Sequence, residues 1–329
     1  MILRTKVLSL LMLIVLLATA ACAPQATPAA PTTAPTTAAA TQAPVPTTVS
    51  AKNLTVLAAA SLTESFTELG KMFETQNPGV KVAFSFAGSQ QLAQQLDQGA
   101  GADVFGSAST KYMDAAVTSR RVNKADAKTF ATNRLVVIFP KDNPAGLKEL
   151  KDLAKPGLKL DLADKSVPVG QYALDFLDKA VKDPGFDPTF KDNVLENVVS
   201  YEENVKSVVT KVSLGEADAG IVYVTDVTTN AAPKIGKLDI PDALNTVAVY
   251  PIAPISDSKN TDLAKAFVAL VLSPDGQALM AKYGFIPAAS GSSSTGGFTV
   301  TDALGRNGVN FTKNSKWKEI SSKFSKTIG

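Results

Sequence analysis

Residues 53–76 read NLTVLAAASLTESFTELGKMFETQ, and the fold turns on how this stretch divides. Its first part, NLTVLAAA, is a short apolar run and reads as a buried strand. From Ser61 onward the period changes, and Leu62, Phe66, Leu69 and Phe73 fall on one face of a helix. The following segments keep the alternation. NPGVKVAFSFA is a turn and a second strand, and GSQQLAQQLDQG is a helix closed by Gly99. ADVFGSA is a short buried strand and STKYMDAAV another helix. Strands separated by single helices imply a doubly wound, mainly parallel sheet.

Further along, NRLVVIFPKD is a longer apolar strand that can carry the chain into a second lobe. The alternation then repeats through LKLDLAD, VPVGQYALDFLDKAV, NVVSYE, ENVKSVVTKVSLGEA and DAGIVYVTDV. NTVAVYPIAP reads as the return crossing, and TDLAKAFVALVLSPDGQALMAKYGF supplies two closing helices. The expected architecture is therefore α/β and two-lobed, each lobe a doubly wound sheet, joined by two crossover strands. Residues 53–134 and 251–288 form the first lobe and residues 135–250 the second. Ligands of open α/β sheets lie at the carboxyl ends of strands, where helix N-termini point.

The two ends of the chain read differently. MILRTKVLSLLMLIVLLATAAC places Arg4 and Lys6 before an apolar stretch and ends in small residues, as a secretory signal does, over residues 1–21. Cys22 is the single cysteine, so it has no internal disulfide partner, and its setting resembles a bacterial lipobox with Thr19 where leucine is usual. Lipidation at Cys22 would anchor the protein to the outer side of the cell membrane. Residues 22–52 are rich in Pro, Thr and Ala, lack aromatic residues, and read as a disordered tether. Residues 289–329 form a linker and an extension to which no role is assigned.

Composition removes several chemistries. The 33 basic and 30 acidic residues give a net charge of +3 without a clustered basic run, so no nucleic-acid partner is expected. Histidine is absent, which removes Ser-His-Asp and Cys-His catalysis and the usual general base. Four helix starts follow small or proline-bearing segments: Ser61 after AAA, Ser89 after FAG, Val169 after SVP, and Val205 after SYEEN. Helix starts offer unpaired N–H groups and a partial positive charge of about half a unit, which attract anions. Each also has an ordinary reading. Ser61 and Ser89 suit the N-cap position, Pro168 the first helical turn, and Tyr223 a core-facing strand site.

Taken together, AAASLTESF, FSFAGSQQLAQQLDQGAGADVFGSAS, RLVVIFP, VPVGQYA, ENVKSVVTKVSLGEADAGIVYVTD, YPIA and KYGF form an ordered set. In that order and spacing the chain resembles the periplasmic molybdate-binding proteins of bacterial ABC uptake systems, with a type II solute-binding fold. The resemblance spans residues 54–285. It implies five ligand donors: the hydroxyls of Ser61 and Ser89, the backbone N–H groups of Val169 and Val205, and the Tyr223 phenol. Gly88 stands where relatives often have serine, and Val169 where they have alanine. These residues would meet the metal through the oxygens of its oxyanion, without direct metal coordination.

Such a set suits molybdate, a tetrahedral dianion that can only accept hydrogen bonds. The resemblance further implies closure of the lobes on the anion, delivery to a membrane permease and its ATPase, and a monomer with no cofactor and no enzymatic activity. Tungstate is nearly isosteric with molybdate, whereas sulfate would be distinguished mainly by size. Three other readings remain at this level. One is a different oxyanion or a ferric ion held by Tyr172, Tyr201 and Tyr223; the others are an enzyme or a surface-adhesion module on the same scaffold.

Overall fold

The computed structural model describes residues 52–227 and 230–288. The signal, Cys22, the tether to residue 51 and the extension from residue 289 lie outside the described residues. In chain order the first lobe contains β1 (Lys52–Ala59), α1 (Thr63–Gln76), β2 (Val80–Ala87), α2 (Ser89–Asp97), β3 (Val104–Gly106), α3 (Thr110–Thr118) and β4 (Lys128–Asn133). The second lobe holds β5 (Leu135–Pro140), β6 (Leu160–Ala163), α4 (Pro168–Ala180), α5 (Phe190–Glu196), β7 (Val198–Glu202), α6 (Val205–Ser213), β8 (Ala219–Tyr223) and β9 (Ile235–Asp239). The chain then returns through β10 (Ala248–Pro254), α7 (Thr261–Leu272), α8 (Pro274–Lys282) and β11 (Ile286–Pro287).

Two sheets result, in strand orders β11-β4-β10-β3-β1-β2 and β7-β6-β8-β5-β9. Each is mixed. β1 pairs in parallel with β2 and β3, and β6 with β7 and β8, as the strand–helix alternation predicts. Antiparallel pairing enters with the strands that cross between lobes: β10 against β3 and β4, and β5 against β8 and β9. The mainly parallel expectation therefore holds for the βαβ portions and gives way where a crossing strand arrives from the other sheet.

The apolar stripe of α1 packs as its spacing predicts. Phe66, Leu69 and Phe73 are buried, and the Phe66 and Phe73 rings meet Phe267 of α7 edge-on at 6.0 and 5.4 Å. Burying such side chains contributes about 1.5–3 kcal/mol each. In the second lobe, α4 and α6 cover the sheet with Phe176, Leu177, Val208 and Val212, all fully buried.

Only Arg134 separates β4 of one sheet from β5 of the other. The return differs from the expected boundary at residue 251. β10 already pairs with β4 at Ala248 and belongs to the first sheet throughout, so the second crossing occupies residues 240–247. Strand periodicity marks NTVAVYPIAP as extended but carries no information about which sheet it joins. Asn245 ties the crossings together: its Oδ1 accepts from Leu135 N–H and its Nδ2 donates to Leu135 C=O, both at 2.9 Å.

Candidate functional site

At the carboxyl end of β1 the chain does not pass directly into a helix. A 3₁₀ turn, Ala60–Leu62, intervenes before α1. Ser61 lies within that turn, and neither it nor any neighbour provides a side-chain cap. Its buried hydroxyl instead lies 3.0 Å from the Tyr250 phenol of β10. Ser89 likewise fails to cap its helix. Gly88 occupies the N-cap position, and its N–H donates to Gln91 Oε1 at 3.2 Å. Ser89 Oγ accepts from Ala108 N–H at 3.0 Å. The ordinary N-cap reading of both serines is thus incorrect, because each hydroxyl is engaged across the lobe rather than along its helix.

The second lobe presents backbone. α4 begins with Pro168 and has no side-chain cap at Val167, so the amides of Val169 and Gly170 belong to an uncapped first turn. The turn is tight: a Cβ on Gly170 would stand 2.1 Å from the Asp164 carbonyl oxygen. At the start of α6, Asn204 Oδ1 accepts from Ser207 N–H at 3.1 Å, leaving the Val205 amide outside that cap. Val169 and Val205 are both buried. Tyr223 ends β8 with its ring only 1% exposed, and its buried hydroxyl has no hydrogen-bond partner. Burial raises its pKa well above the ordinary phenol value, as it raises that of Tyr172.

These groups converge along a continuous set of contacts. Tyr250, beside Ser61, meets the Tyr223 ring at 5.9 Å between centroids, and Tyr223 meets Tyr172 of α4 at 6.5 Å. Tyr172 sits one turn beyond Val169, and its hydroxyl donates to Ala108 C=O at 3.4 Å. Ala108 N–H in turn reaches Ser89. The 3₁₀ turn carrying Ser61 also packs against α6, which opens with Val205. The five residues singled out in the sequence therefore lie on segments that meet one another between the lobes. Tyr201 does not join them; it is 53% exposed on the edge strand β7.

Direct bonds cross the seam around this centre. Lys206 Nζ contacts Glu64 of α1 at 2.9 Å and the fully buried Asp226 at 3.1 Å. Burial alone would lower the pKa of this ammonium, but Asp226 and Glu64 hold it above the ordinary lysine value. Gln90 Nε2 donates to Glu203 C=O at 2.8 Å and Gln91 Nε2 to Glu203 Oε2 at 2.9 Å. The Tyr112 hydroxyl donates to Ser166 C=O. A Cβ at Gly88 would lie 2.6 Å from Glu203 C=O, so a residue with a side chain would not fit there without a shift.

Tyr250, Lys206 and Asn133 were not singled out as site residues by sequence reasoning. Tyr250 lies in the quoted YPIA segment, where its aromatic character is indistinguishable from core packing. An asparagine before the apolar run LVVIFP was the available signal for Asn133, since a buried amide must be satisfied.

Comparison with known proteins agrees with this layout. Residues 54–286 match the family described as bacterial extracellular solute-binding protein. Molybdate-binding protein ModA of Mycobacterium tuberculosis is 38% identical over 242 residues, which covers 74% of this chain and 87% of that protein. The periplasmic molybdate-binding protein of Azotobacter vinelandii superposes with a TM-score of 0.62 at 20% identity, over 72% of this chain and all of its own. The sulfate-binding protein SubI of M. tuberculosis superposes with a TM-score of 0.65 at 20% identity, over 73% of this chain and 88% of its own. The last two likenesses concern the fold. With a family match across most of its length and a relative above one-third identity, the chain belongs to the bacterial extracellular solute-binding proteins, which bind solutes and are not enzymes.

Proposed function

We propose that this protein is the solute-binding subunit of an ABC importer and captures molybdate, with tungstate as a near-equivalent, in the seam between its lobes. The observation that carries this reading is the Tyr223 hydroxyl, a fully buried donor without a partner, set between Tyr250 beside Ser61 and Tyr172 of α4, whose first turn is uncapped. An unsatisfied buried hydroxyl is costly unless a ligand completes it. Molybdate supplies four acceptor oxygens and no donor, which matches an array built only from donors. The identity to ModA proteins supports the choice of ion.

Ser61 and Ser89 donate from the first lobe, and Val169, Val205 and Tyr223 from the second. Hydrogen bonds to a charged group contribute roughly 1.5–3 kcal/mol each, so five can offset the dehydration of the dianion. Because the donors are divided between lobes, the anion binds the closed arrangement better and shifts the population toward it. Neutral donors permit release to a permease more readily than an arginine clamp would. The ferric reading is disfavoured because Tyr201 lies exposed on the edge strand β7, apart from Tyr172 and Tyr223, and the described residues hold no group of three His, Cys, Asp or Glu suited to a metal.

The protein works outside the cytoplasm, in keeping with its family, tethered by a lipid on Cys22 and acting as a monomer. Isothermal calorimetry with molybdate, tungstate and sulfate tests the assignment. Tight molybdate and tungstate binding is expected, weakened in Tyr223→Phe. Tight sulfate binding with neither of the other two would overturn it.

A further inference from the structure

The two serines are embedded in the protein in the same way, and the pattern points to a residue not yet given a role. Ser89 Oγ receives a hydrogen bond from Ala108 N–H, a group that can only donate, so the serine proton is left for another acceptor. Ser61 Oγ has the Tyr250 phenol at 3.0 Å, and either oxygen there can donate. Asn133 biases the choice. Its Oδ1 accepts from Arg134 N–H at 2.9 Å, which fixes the amide so that Nδ2 faces inward. Nδ2 donates to Thr225 Oγ1 at 2.7 Å and to Tyr250 Oη at 3.4 Å. With one lone pair of its oxygen taken by Asn133, Tyr250 favours the arrangement in which its proton points to Ser61 and Ser61 turns its own toward the seam.

We infer that Tyr250 is a positioning residue of the anion site, which orients the Ser61 hydroxyl as a donor through a one-way chain from Asn133 to Tyr250 to Ser61. This inference rests on the oxyanion-binding reading given above. The chain matters because an oxyanion only accepts: with the opposite polarity, Ser61 would spend its proton on Tyr250 and present lone pairs to a dianion. Polarisation along consecutive hydrogen bonds also strengthens the last donor. The three polar groups are fully or almost fully buried, so water does not compete for the orientation. The root of the chain lies at the crossing. Asn133 ends β4 and holds Thr225 of the second lobe, while Tyr250 lies on the returning strand β10. The orientation of Ser61 thus depends on both crossover segments being in the arrangement seen here.

The test is a double-mutant cycle with Ser61→Ala and Tyr250→Phe in the full chain, titrated with sodium molybdate by calorimetry. Ser61→Ala should weaken binding by about tenfold. Tyr250→Phe keeps the ring packed on Phe130 and Phe285 and should weaken binding by a comparable factor. The double variant should bind as Ser61→Ala does, because the phenol acts only through the serine. Thermal unfolding without ligand reports whether Tyr250→Phe is folded. Should it not fold, Asn133→Ala replaces it, with a smaller loss that disappears in the Ser61→Ala background. Wild-type affinity in Tyr250→Phe, or losses that multiply in the double variant, would overturn the inference. Wild-type affinity in Ser61→Ala would instead overturn the site reading itself.

Discussion

The two lobes meet at the seam with different kinds of donor. The first lobe offers side-chain hydroxyls, Ser61 and Ser89, whose direction depends on what holds them from behind. The second offers, besides the Tyr223 phenol, candidate backbone amides at the starts of α4 and α6, whose direction is set by the helix itself. Their supports differ as well. Behind the hydroxyls stand neutral groups, whereas the first turn of α6 carries Lys206 paired with the buried carboxylate of Asp226, and Asp161 is buried in the same lobe's sheet. A hydroxyl can be deleted by one substitution, while an amide can be disturbed only by moving the backbone. Charged supports, by contrast, make the second lobe more sensitive to pH and to loss of a partner.

The strongest way to break this contrast is Lys206→Met. It leaves Asp226 buried without its ammonium and should cost about 3–5 kcal/mol in urea unfolding. No single neutral substitution behind the serines should approach that loss. Next in size is the pH response of Asp161 in β6. Burial, and then the neighbouring charge of Glu202, push its carboxyl up to about 7 from an ordinary 3.8, with Lys211 pulling the other way. The folded state therefore favours the protonated acid more than the unfolded chain does. Stability is fully present below about pH 4 and falls as pH rises toward 7, so Asp161→Asn should flatten the unfolding profile across that window and stabilise the protein at pH 8.

Affinity effects come after these. Tyr223→Phe removes the unpartnered hydroxyl and should weaken molybdate by about tenfold or more in calorimetry, with the ligand-free fold intact. The smallest effects sharpen the backbone side of the comparison. Val169→Ala and Val205→Ala keep their amides, so molybdate affinity should remain within about twofold even where packing costs about 1 kcal/mol. A tenfold loss in either variant would mean that these two positions act through their side chains and not their amides.

Much of the fold was legible because it follows from short-range periodicity. The strand and helix of residues 53–76 and the repeated alternation specify βαβ units, and the stripe Phe66, Leu69, Phe73 is buried as its spacing implies. What escaped depends on partners distant in sequence. Ser61 pairs with Tyr250 across 189 positions, and no local rule distinguishes that from an N-cap. The start of the returning lobe was misplaced by three residues for the same reason, since sheet membership is decided by the neighbouring strand and not by the strand itself. The candidate donors were found through motif order; their supports, Tyr250 and Asn133, required the structure.

The contact between Gly88 and Glu203 has a mechanical meaning. A methyl at this point would meet the Gln90 side chain at 2.3 Å and the Glu203 carbonyl at 2.6 Å, so in this chain the two segments are spaced for a residue without a side chain. Gly88→Ala must swing Gln90 aside and displace Glu203, without replacing any of the five candidate residues. The smallest residue on the rim thereby sets the spacing of the two segments in the arrangement seen here.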